Sequence, residues 1–140
     1  MRRPMLGRAA ALTAVALLLS AQAVWADDIS NDLDISIDAV AEVMALNAGG
    51  SPGTTDLYVQ PRNGDGKSGC NLTAGSTLVV TVASSSTAVA TVGPTSVTFT
   101  SCGDTPTLTV TPLSAGSTTI SVSQTSNTTG GSFSLAAATF

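Results

Sequence analysis

Apolar and hydroxyl-bearing residues alternate almost without a break from Cys70 to Val122. Leu78, Val80 and Val82 fall on one side of an extended chain, and Thr77, Val79 and Thr81 on the other. The same rhythm sets Val97 and Phe99 against Thr98 and Thr100, and Leu108 and Val110 against Thr107, Thr109 and Thr111. It sets Ile120 and Val122 against Thr119 and Ser121. A period of two marks half-buried strands, because successive side chains of an extended chain point to opposite faces. Strands are predicted at 77–83, 88–92, 96–101, 106–111 and 117–124. They are broken at Ser84-Ser85-Ser86, Gly93-Pro94, Cys102-Gly103-Asp104 and Ser114-Ala115-Gly116. The predicted starts lie 8 to 11 residues apart, a spacing that suits a small β-sandwich.

Upstream the pattern is less regular. Asp27 to Asp38 alternates acids with Leu33, Ile35 and Ile37, which predicts a strand or an extended arm. Residues 39–46 fit two periods. Ile37, Val40, Ala41 and Met44 have helical spacing, and Val40, Glu42, Met44 and Leu46 alternate. Strand is the preferred reading, because everything downstream is β. Asn47 to Thr55 reads as a turn, Asp56 to Gln60 as a short strand with Leu57 and Val59 on one face, and Pro61 to Gly69 as a loop. Ser126 to Gly131 is another polar turn. Ser132 to Phe140 begins a last strand, with Phe133 and Leu135 sharing a face, and reads as truncated or frayed. The plan is therefore a leader at 1–26, an acidic arm and first strand at 27–55, and a sandwich at 56–140.

The leader is read from Arg2, Arg3 and Arg8, the apolar run Ala9 to Leu19, and Val24-Trp25-Ala26. A positive front, a short apolar core and small residues before a cut are the parts of a secretory signal peptide. The expected cut follows Ala26, with Ala23 as a second site. An uncleaved anchor is the rival, but the run is short for a bilayer. No cysteine follows it to accept a lipid, and no further apolar span follows signal removal. Cleavage would leave Arg62 and Lys67 against nine acids, a net charge of −7. Nucleic acid is then an unsuitable partner, since phosphate binding needs clustered Lys or Arg. An anionic membrane surface is disfavoured for the same reason.

Cys70 and Cys102 are the only cysteines, and both lie in the exported part. An even count in an exported chain favours a disulfide. Two free thiols or half of a metal site are the alternatives, but with no histidine a zinc site would need carboxylates to complete it.

Little catalytic chemistry is legible. There is no histidine to serve as a base and no Gly-x-Ser-x-Gly elbow. Six of the nine acids sit between Asp27 and Glu42, while Asp56, Asp65 and Asp104 are scattered over turns and strand ends. These read as solvated surface rather than as a carboxylate pair. Asn63-Gly64-Asp65-Gly66-Lys67 resembles part of a calcium loop, but Pro61 occupies an EF-hand ligand position, no Glu follows and Lys67 opposes a cation. A turn is expected there, with Asn63 and Asp65, or Asp32, Asp34 and Asp38, as the calcium candidates. Tyr58 is the one aromatic left for a sugar platform, since Trp25 belongs to the leader and Phe99 and Phe133 fall on core faces. Asn71-Leu72-Thr73 and Asn127-Thr128-Thr129 are glycosylation sequons, meaningful only in a host that glycosylates.

Ser84 to Val92 (SSSTAVATV) resembles a signature of bacterial immunoglobulin-like domains, and Ala115 to Val122 (AGSTTISV) is similar to their closing strand. Val97 to Thr100, followed by Thr105 to Val110, is similar to a hairpin of Calx-beta sandwiches. The resemblance covers about Asp56 to Phe140. It implies an immunoglobulin-like antiparallel β-sandwich from a secreted or cell-surface protein, acting as a structural spacer or adhesion domain toward an extracellular or cell-envelope partner. The cysteine pair is not general to those families. A glycan- or calcium-binding module, and an accessory domain of a larger secreted enzyme, are the other expectations.

Overall fold

The computed structural model describes residues 26–33, 42–65 and 67–140. Residues 1–25 of the expected leader and the segment 34–41, with Asp34, Asp38 and the start of the ambiguous 39–46 stretch, lie outside the described residues.

Among the described residues eight strands carry the fold: β1 (Asp27–Asn31), β2 (Gly53–Gln60), β3 (Leu78–Ser84), β4 (Ala90–Gly93), β5 (Ser96–Phe99), β6 (Thr107–Pro112), β7 (Ile120–Asn127) and β8 (Phe133–Ser134). One 3₁₀ turn, Ala136–Ala138, follows β8. The strands form two sheets, β4-β6-β2-β1-β8 and β5-β3-β7. The chain is an all-β sandwich. Each residue expected on an inner face of β2, β3, β5, β6 and β7 is buried: Leu57 and Val59, then Leu78, Val80 and Val82, Val97 and Phe99, Leu108 and Val110, Ile120 and Val122. The alternating hydroxyls face outward and pair across strands, as Thr81 does with Thr125 at 2.7 Å and Ser84 with Thr118 at 2.9 Å. Among the described residues, Phe99 is the largest fully buried side chain. With few other aromatics, the filling is mainly Leu, Val and Ile, each contributing about 1.5–3 kcal/mol on burial.

Two expectations are corrected and one is met in part. The segment from Asp27, read as a strand or an extended arm, supplies β1, which lies inside the five-stranded sheet between β2 and β8. Ile29 there is fully buried opposite Val59. Residues 42–46 form no strand. Their alternation survives, with Val43 and Ala45 outward. Met44 and Leu46 instead close onto β2 where Gly53 has no side chain. A Cβ on Gly53 would meet Met44 Sδ at 2.7 Å. Finally, the sheets are not antiparallel throughout, since β1 and β8 pair in parallel, Asp27 with Phe133 and Asp28 with Ser134. The last strand is only two residues long, and Leu135 leads into the 3₁₀ turn instead.

The expected disulfide is formed. Cys70 and Cys102 are bridged with a Cα–Cα separation of 6.1 Å. The bridge ties the segment before β3 to the turn after β5, a closed loop 32 residues apart in sequence. On a chain-entropy account such a loop contributes about 3–4 kcal/mol.

Candidate functional site

Among the described residues, side chains distant in sequence converge at both ends of β2. At the Gln60 end, a polar knot gathers residues distant in sequence. Asp27 is fully buried, yet both its carboxylate oxygens are occupied: Arg62 N–H donates to one at 2.7 Å and Asn71 N–H to the other at 2.9 Å. Its own N–H donates to the Ser132 carbonyl at 3.1 Å. A buried carboxylate needs such charge-assisted bonds, because leaving it unpaired is costly. Arg62 also forms an ion pair with Asp28.

Asp65 belongs to the same knot. One oxygen accepts from Asn71 Nδ2 at 2.8 Å and from Ser132 N–H at 3.0 Å, and the other accepts from Lys67 N–H at 3.1 Å. The Ser132 N–H, then the Asn71 amide, hold the Asp65 carboxyl below its ordinary range. Asn63 is occupied too, its side-chain oxygen accepting from Gly69 N–H. The two calcium candidates of this loop thus share one end of the sandwich, but their oxygens point to donors of the chain itself. Lys67 extends its ammonium to the Thr129 carbonyl. Asp32, from the other calcium set, accepts from the Thr55 hydroxyl and from Asp56 N–H at 2.7 Å. The Thr55 hydroxyl is the main reason its carboxyl sits below the usual range. Among the described residues, no three Cys, Asp or Glu side chains converge as metal ligands would.

Tyr58 lies on the outward face of β2, opposite Ser30 of β1 and half-buried. The structure brings no second aromatic ring beside it on that strand. Asn71 of the first sequon is fully buried. Its Nδ2 donates to both Asp65 and the Ser132 carbonyl, so the folded chain offers no site for a sugar there.

At the Gly53 end the sheets part around a mainly apolar groove of about 710 Å³, whose lining also includes Glu42, Ser117 and Thr119. Ala90, Val110, Pro112 and Ile120 line it from the strands, with Met44 and Phe140 at its walls. Val43 stands at the rim and is 78% exposed. Sequence reasoning missed this groove. Its only local signal was the apolar run before a glycine-rich turn, which alternation assigned to a strand. The chain matches no family model, no curated protein sequence and no solved structure.

Proposed function

We propose that this protein is a non-catalytic module of a secreted or cell-surface protein, an immunoglobulin-like sandwich that serves as a structural spacer or adhesion domain. One observation supports the non-catalytic part of this reading. The carboxylates of Asp27, Asp32, Asp56, Asp65 and Asp104 each accept hydrogen bonds that fasten a loop or neighbouring strand. Carboxylates held as fasteners favour rigidity over acid–base work. The Cys70–Cys102 bridge suits an oxidising compartment, as does the leader-like start of the chain. No helix among the described residues is long and apolar enough to cross a membrane. The resemblance of Ser84 to Val92 and Ala115 to Val122 to bacterial immunoglobulin-like domains agrees with the spacer reading.

Calorimetry with calcium and a glycan array test it. The expected result is no saturable binding. Saturable binding abolished by Asp65→Asn or Tyr58→Ala, with the fold intact by circular dichroism, overturns it in favour of a ligand-binding module.

A further inference from the structure

The loop between β2 and β3 carries an exposed dipeptide, Asn63-Gly64, whose own groups can react with each other. Asn63 Oδ1 accepts from Gly69 N–H. Among the described residues, Asn63 Nδ2 and Gly64 N–H have no hydrogen-bond partner. The acceptor oxygen is thus held, while the amide nitrogen and the next backbone nitrogen are open to water. Gly64 has a φ of 131°, a backbone conformation that side chains rarely adopt, so the turn itself calls for glycine there. No Cβ then stands in the way of a ring closing through its nitrogen.

The other asparagines are placed differently. Asn31 and Asn71 are buried, and their side-chain amides donate to Glu42 and Asp65. Asn127 Nδ2 donates to the Gly131 carbonyl at 2.9 Å. Asn47 is exposed, but Ala48 follows it with a Cβ. Among the described residues, Asn63 alone combines exposure, an unheld amide nitrogen and a following glycine.

We propose that Asn63 is a self-modification site, where the folded chain cyclises to a succinimide and opens to aspartate and isoaspartate. The Gly64 nitrogen gives up its proton to hydroxide and attacks Asn63 Cγ. The two groups sit on adjacent residues, so no encounter has to be arranged. As the C–N bond forms, negative charge gathers on Oδ1, where Gly69 N–H already donates. A donor aimed at a developing oxyanion lowers the barrier. The Cγ–Nδ2 bond then breaks, and Nδ2 takes a proton from water and leaves as ammonia. Water opens the ring, its hydroxyl going to a carbonyl carbon and its proton to the ring nitrogen. The net change is amide plus water to carboxylic acid plus ammonia, with nothing oxidised or reduced. Opening at Cγ gives aspartate, which keeps an acceptor for Gly69. Opening at the backbone carbon gives isoaspartate, which adds a methylene to the main chain. This goes beyond the spacer or adhesion reading and uses none of its steps.

The test is peptide-mapping mass spectrometry of the folded, disulfide-bridged protein held at mildly alkaline pH, with isoaspartate separated from aspartate by chromatography. The expected result is amide-to-acid conversion at Asn63, about tenfold or more faster than at Asn47 or Asn127, with both products present. The rate should rise with pH, because the attacking nitrogen must first lose its proton. Gly64→Ala should slow conversion about tenfold or more. Alanine is strained at that φ, so parent and variant are compared again in urea, where the same slowing is expected. No conversion at Asn63 overturns the proposal. So does aspartate without isoaspartate, which indicates direct hydrolysis instead of a ring. Conversion only after unfolding in urea also overturns it, since the fold then shields the site.

Discussion

Asn71 and Gly131 are in contact so close that a single methyl group does not fit between them. An added Cβ on Gly131 would lie 2.4 Å from Asn71 Cγ. Asn71 has no room to retreat, being fully buried and bonded to Asp65 and to the Ser132 carbonyl. Gly131→Ala is therefore expected to destabilise the fold by about 1–3 kcal/mol through overpacking. Asn71→Ala should cost about as much, since it strips buried acceptors of their donor. The double variant should be clearly less destabilised than the sum of the two, because Asn71→Ala removes the atoms that Gly131→Ala would strike. Urea denaturation of the four proteins measures the coupling, and strict additivity would show that the contact does not matter.

Breaking the Cys70–Cys102 bridge should lower stability by about 3–4 kcal/mol on the chain-entropy account. The comparison is the denaturation midpoint of the Cys70→Ser/Cys102→Ser protein against that of the oxidised parent. A midpoint unmoved by the double substitution would mean that the loop between the cysteines is already fixed by other contacts.

Acid should destabilise the protein through its fastening carboxylates. Asp32, Asp65 and Asp104 are each held below the ordinary carboxylate range, chiefly by the Thr55 hydroxyl, the Ser132 N–H and the Thr100 N–H respectively. Because the folded value is the lower one, the unfolded chain takes up protons first as pH falls. The stabilisation is complete above the unfolded value of about 3.9. It is lost as pH falls from there through the lowered folded values. Stability measured by urea titration should thus be flat in these groups near neutrality and fall below about pH 4. Asp65→Asn and Asp104→Asn should each flatten that fall. An unchanged acid limb in both variants would contradict the assignment.

Phe99→Ala should cost about 3–5 kcal/mol, the range for emptying a fully buried aromatic site. Phe99 is 0% exposed and pairs with Leu78 across β3 and β5. A loss under about 1 kcal/mol would mean that the two sheets close over the gap.

Where contacts are local and repetitive, the chain declared them. Leu78, Val80 and Val82 sit inside because alternation leaves one choice of face, and a one-residue slip would turn all three to water. The disulfide was legible from two cysteines and an export-like leader. A strand from Asp27 was one of two readings there, but its burial was not legible, because Asp27 and Asn31 look like surface until their partners are known. Asp27 needs the amides of Arg62 and Asn71, 35 and 44 residues away. Asn31 donates to the Ala137 carbonyl, 106 residues away. Composition cannot report such bonds. The stretch at 42–46 misled for the opposite reason. It alternates as a strand does, but Gly53 gives Met44 and Leu46 a seat on β2 without any ladder. At the candidate calcium loop, the chain's own donors that fill the oxygens of Asn63 and Asp65 were invisible in the sequence.

The parallel pairing of β1 with β8 sets how the molecule would answer tension. A pull applied through residues 26 and 140 drags these neighbouring strands in opposite directions along a common axis. Their bonds are then loaded together in shear rather than unzipped one after another, and the buried Asp27 clasp shares the strain. In single-molecule pulling, shear through these handles should rupture at a higher force than peeling edge strand β5 away from β3.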